Sequence, residues 1–68
     1  MSALKVIGMS PRDVPYVSRR PTVHEGEVGD FVHVIAEDGN YYGSYRKAEV
    51  GLDRQELWMP ADSYGNIF

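Results

Sequence analysis

Nowhere in this chain do apolar residues keep the 3.6-residue period of an amphipathic helix for more than about two turns, so long helices are not expected. Pro11, Pro15 and Pro21 reinforce this in the first third of the sequence. Each proline lacks a backbone donor and holds φ near about −65°. Each also biases its predecessor away from helical torsions. The stretch "SPRDVPYVSRRPTV" is therefore expected to be extended, with "VPYV" apolar enough to lie against something.

From Glu27 onward the apolar period becomes two. In "VGDFVHVIAEDG", Val32, Val34 and Ala36 share one face and Phe31, His33 and Ile35 the other, a strand pattern. "EDGN" follows, and Asp-Gly with a trailing Asn tolerates the positive φ of a tight hairpin. "YYGSYRKAEV" resumes as a strand, with Tyr41, Gly43 and Tyr45 on one face. "GLDRQ" reads as a turn and "ELWMP" as a further short strand stopped by Pro60. "ADSYG" suits a single helical turn in which Asp62 or Ser63 caps a local donor. The expected class is all-β: about five short strands in a small barrel or tightly bent sheet.

A chain of 68 residues makes one domain. It buries only about 60% of the surface its unfolded form exposes, and small domains often compensate with disulfides, metals or association. The absence of cysteine removes disulfides and zinc-thiolate sites together. His24 and His33 have no third ligand at metal-site spacing, so neither a metal nor a cofactor is expected. The opening "MSALKVIGMS" is not a secretory signal, because its apolar run is short and is broken by Lys5. No stretch approaches the ~18 apolar residues of a membrane span. The expected setting is the cytoplasm or the interior of an assembled particle.

Charge is unevenly distributed. Residues 1–20 hold Lys5, Arg12, Arg19 and Arg20 against Asp13 alone, a balance of +3, while residues 21–68 hold three cations against nine acids, a balance of −6. The expected organisation is a basic, proline-containing arm over residues 1–22 and a barrel over 23–68, with a first strand possible from 14–18. An acidic body is a poor phosphate binder, so nucleic acid ranks low as a partner.

The order of motifs resembles that of SH3 domains. "EVGDFVHVI" is similar to the family's Gly-acidic strand after its long loop, and "GNYYGSY" to the strand opening on paired aromatics. "LWMPADSY" resembles the hydrophobic-hydrophobic-Pro segment that leads to a short 3-10 turn and a tyrosine, and "VPYV" stands where the first strand carries its tyrosine. The resemblance spans residues 14–68 and implies an SH3-like barrel with a peptide groove. Tyr41, Pro60, Tyr64 and Tyr16 would floor that groove, and Glu25, Glu27 and Asp30 would receive a basic residue beside a polyproline ligand.

Apart from that resemblance, Trp58 and Tyr42 are assigned to the core, and Tyr41, Tyr45 and Tyr64 to an interaction surface. Arg12, Arg19 and Arg20 are the cations of the arm; the commoner outcome for the Arg19–Arg20 pair is solvation. No serine lies in a nucleophile elbow and His33 has no triad partner, so no catalytic residue is assigned. Two functional expectations follow. One is a non-enzymatic module docking on an extended segment of a partner protein. The other is a structural subunit of a phage-like particle or other oligomer, its basic arm lying on an acidic neighbouring copy. Nucleic-acid binding through the arm stands third.

Overall fold

The computed structural model describes residues 4–36 and 38–68, so the expectations for residues 1–3 of the arm and for Glu37 in "EDGN" lie outside the described residues. The chain forms β1 (Val6–Met9), β2 (Pro15–Val17), β3 (Phe31–Ile35), β4 (Tyr41–Val50) and β5 (Gln55–Ala61). These make one sheet in sequence order, parallel between β2 and β3 and antiparallel elsewhere. The all-β expectation holds, and no helix occurs among the described residues. The sheet is open, with β1 and β5 as its two edges, so the expected closed barrel is not formed.

Residues 4–22 are not a separate arm. Val6–Met9 and Pro15–Val17 are strands of the same sheet, joined through Val6↔Val17, Gly8↔Tyr16 and Met9↔Pro15 with a bulge between Val6 and Gly8. The prolines do hold this region extended, but an extended backbone carries donors and acceptors that need partners, and pairing in the sheet supplies them. Pro60 does not stop the last strand either. It lies within β5, opposite Tyr45, on an edge where a missing N–H breaks no ladder bond.

The two later hairpins follow local chemistry. Between β3 and β4, Gly39 has φ +88° and its N–H donates to the Ala36 carbonyl at 2.9 Å. Between β4 and β5, the Arg54 N–H reaches the Gly51 carbonyl at 3.2 Å. The parallel β2–β3 pair needs a crossover of about a dozen residues, and residues 18–30 provide it across one face of the sheet.

Under that crossover lies the core: Val17, Val32, Val34 and Trp58, with Leu4 and Tyr45 packed against them. The apolar set is small, and polar anchors complete it. The Trp58 indole donates to the carbonyls of Thr22 (2.9 Å) and Glu25 (3.1 Å). Lys47 is 2% exposed, and its Nζ donates to the carbonyls of Val23, Glu25 and Gly26 at 2.8, 3.0 and 3.0 Å. Gly26, at φ +73°, rests on the indole, where a Cβ would come within 2.7 Å of Trp58 Cζ2.

Tyr42, expected in the core, is 65% exposed, whereas Tyr45, expected outside, is half-buried. The alternation of β4 carries Tyr45 to the crossover side, and Tyr42 is the residue skipped where the β3–β4 register shifts from Val34↔Gly43 to Ile35↔Tyr41.

Candidate functional site

The opposite face of the sheet collects a different set of side chains. Register places Tyr16 beside His33 and His33 beside Ser44. The His33 ring has Tyr16, Phe31 and Tyr41 around it at centroid distances of 5.9, 5.1 and 5.9 Å. Its Nδ1 is 2.6 Å from Ser44 Oγ, which is also hydrogen-bonded to the Tyr41 hydroxyl.

Two self-capped loops flank this face. Ser10 Oγ accepts the N–H groups of Arg12 (3.3 Å) and Val14 (3.0 Å), which shapes the turn from β1 to β2. Beyond β5, Asp62 Oδ1 accepts the N–H groups of Tyr64 and Asn66, both at 2.9 Å, so residues 62–66 form an Asx-type turn in place of the expected 3-10 turn. Arg46 ties that turn down by donating to the Gly65 carbonyl at 2.7 Å while its guanidinium lies over Phe31. Between the loops a cleft of about 270 Å³ is lined by Ser10, Pro11, Arg12, Tyr16, His33 and Ser63. Arg12 stacks on Tyr64, 4.7 Å from the ring centroid, at its rim.

The residues expected at a peptide groove are thus divided. Tyr16, Tyr41 and Tyr64 belong to the His33 side, with Tyr41 and Tyr64 exposed. Tyr45 packs against the core cluster on the crossover side, and Pro60 is its cross-strand partner. Glu25 is buried and structural: it accepts the Thr22 N–H at 2.9 Å and both guanidinium nitrogens of Arg19 at 3.0 and 3.3 Å. Asp30 accepts the Glu27 N–H at 2.8 Å within its own turn, and Glu27 is exposed. Arg20 donates to the Trp58 carbonyl at 3.1 Å and lies over Tyr45. The charge asymmetry of the sequence is therefore partly answered within one chain, because Arg19 and Arg20 both engage the body. Sequence alone puts His33 on a strand face with Phe31 and Ile35 and finds it no metal or triad partner. Its place between Phe31 and Ile35 on the non-core face was the available signal.

The two sheet edges differ. On β5 the Trp58 carbonyl is taken by Arg20, Pro60 has no N–H, the Pro60 carbonyl accepts the Phe68 N–H, and Ala61 bridges Ile67. On β1, among the described residues, nothing pairs with the outer side. Val6, Ile7 and Met9 there are 46%, 44% and 56% exposed.

Burial, with the nearby Arg12 charge second, holds the His33 pKa below its ordinary value of 6.5. The unfolded chain therefore takes up this proton first. The stabilising effect is complete above the ordinary value and is lost as pH falls toward the lower native one. Glu25 and Asp62 are held low chiefly by the N–H groups of Thr22 and Asn66 respectively, so their contributions are lost at still lower pH. Thermal melts should show a midpoint that declines as pH falls below about 6.5. His33→Gln should flatten that limb and leave the steeper acid limb in place. An unchanged slope in the variant would remove His33 as its origin.

No protein-family model, no curated protein and no solved structure matches this chain. Among the described residues no helix is long and apolar enough to cross a membrane, and no group of three or more His, Cys, Asp or Glu could hold a metal ion.

Proposed function

We propose that this domain is a non-catalytic protein-binding module that takes an extended segment of a partner protein as a sixth strand against β1. The observation that carries the reading is the asymmetry of the edges. Sheets commonly blunt exposed edges with proline, charge or covering segments, and β5 has Pro60, Arg20 and residues 66–68. Apart from its bulge, β1 has none of these among the described residues, and no charged residue occurs between Lys5 and Arg12. Strand addition takes affinity from main-chain bonds and specificity from alternate side chains. Val6, Ile7 and Met9 are exposed to meet such a strand.

Ser44, the serine bonded to His33, is 3% exposed and shielded from any substrate. In this reading the SH3 likeness is one of motif order through β3, β4 and β5, with recognition moved from an aromatic groove to the sheet edge. A second copy is the competing occupant of that edge. The subunit reading then runs through β1 pairing with β1 about a two-fold axis, in place of an arm on an acidic neighbour.

Extended peptides selected against the immobilised domain should slow amide exchange at residues 6–9. Ile7→Lys should weaken their binding by about tenfold or more, with the fold intact because Ile7 is exposed. Protection confined to Tyr41 and Tyr64, or binding indifferent to Ile7→Lys, would overturn strand addition. A dimer on sizing that Ile7→Lys converts to monomer would assign the edge to a second copy.

A further inference from the structure

The polar side chains lining the His33 cleft are donors, or can serve as donors, and no carboxylate is among them. Arg12 is in no ion pair among the described residues, where the one salt bridge is Arg19–Glu25. Its stacking on Tyr64 orients the guanidinium while leaving the N–H groups around its edge free. Ser10 Oγ already accepts two backbone N–H groups, so its own proton is available to the cleft. Tyr16 and Ser63 line the same space, and their hydroxyls have no hydrogen-bond partner among the described residues.

His33 adds a further donor. Its Nδ1 is engaged by Ser44, which leaves Nε2. Among the described residues no buried side-chain nitrogen or oxygen lacks a partner, so Nε2, bonded to none of them, touches solvent, and His33 is a lining residue of this cleft. When Tyr41 donates to Ser44 and Ser44 to Nδ1, one of the two orders these contacts allow, the ring proton is on Nε2 and available to the cleft. An acceptor bound there selects that order of protons.

We propose that the cleft is a binding site for a carboxylate group, held by Arg12 as the single cation and by Ser10, Tyr16, Ser63 and His33 as neutral donors. One cation with several neutral donors matches a monoanion better than a phosphate dianion. Burial keeps His33 neutral near pH 7, in agreement with that charge count. Neither Asp13 nor Asp62 forms an ion pair with Arg12 among the described residues, and Asp62 Oδ1 is engaged by its own turn. Pro11 and the Tyr16 ring supply apolar walls for the carbon skeleton behind the carboxylate. The group can belong to a small organic acid or to a peptide, as a side chain or a C-terminus. The site is separate from the β1 edge and does not depend on strand addition.

The test is an NMR titration of the intact chain with sodium propionate, with inorganic phosphate at matched ionic strength, and with two short peptides. One peptide ends in a free carboxylate; the other is amidated and carries a single glutamate. Propionate should give saturable shifts at the Arg12 side chain, the His33 ring and Tyr64, with phosphate weaker at equal concentration. Arg12→Gln should weaken binding by about tenfold or more, with the spectrum of the sheet otherwise unchanged because Arg12 is exposed. The two peptides tell a C-terminal source from a side-chain source, and binding of propionate alone assigns a small acid. No saturable shift at these residues, tighter binding of phosphate, or equal binding by Arg12→Gln would overturn the proposal. Failure of strand addition would appear at residues 6–9 and leave these readouts untouched.

Discussion

Lys47→Met should remove about 3 kcal/mol or more of stability, a large fraction of what a domain of this size holds. The side chain is 2% exposed and its Nζ serves three crossover carbonyls, those of Val23, Glu25 and Gly26. Methionine fills similar space but donates nothing, and each buried acceptor left unpaired costs about 1–3 kcal/mol. A domain of this length holds roughly 3–10 kcal/mol in total. The control is Lys5→Met, the same change of charge at an exposed position, which should stay within about 0.5 kcal/mol of the parent. Urea unfolding followed by circular dichroism measures both. Equal midpoints for the two variants would mean that the crossover does not depend on Lys47.

Trp58→Ala should be as damaging, at about 3–5 kcal/mol for a large aromatic lost from a packed core. The indole is 1% exposed, supports Gly26, and donates to the carbonyls of Thr22 and Glu25. Trp58→Phe separates the two contributions, since it keeps much of the ring and loses the N–H; about 1–2 kcal/mol is expected from the lost bonds. In Trp58→Phe, amide exchange over residues 22–26 should quicken before that of β3 and β4. Uniform acceleration across the sheet would show that the indole bonds do not act locally on the crossover. Lys47 and Trp58 share the Glu25 carbonyl, so combining their substitutions should depart from additivity.

Those two residues mark where sequence reading succeeds and where it stops. Tyr41–Val50 reads as one strand from its β-forming residues, and the "EDGN" and "GLDRQ" turns follow from glycine and its polar neighbours. The alternation over 31–35 places Val32 and Val34 on the core side, and Trp58 is buried as its size suggests. Lys47 gives no such sign. In the run Tyr45, Lys47, Glu49 it looks like any cation on a half-exposed strand, and only the carbonyls carried over it by residues 18–30 make it interior. Val6–Met9 is similarly silent, because a four-residue strand is defined by its partner, and that partner lies beyond a turn shaped by Ser10. Glu25 is the converse case. Its acidity looks available for a ligand until Arg19 and the Thr22 N–H occupy it.

What the sequence alone determined was the backbone's local character: extended where proline and β-branched residues dominate, reversed at Gly39 and Gly51, and without helix among the described residues. Tertiary structure decided that the sheet stays open, that β5 is sealed while β1 is not, that a lysine is interior, and that a histidine faces a cleft beside an unpaired arginine. The physical reason is range. Torsional preference and alternation act between neighbours, whereas edge pairing, burial of a cation and convergence of donors depend on segments far apart in the chain that meet only when the crossover closes over the sheet.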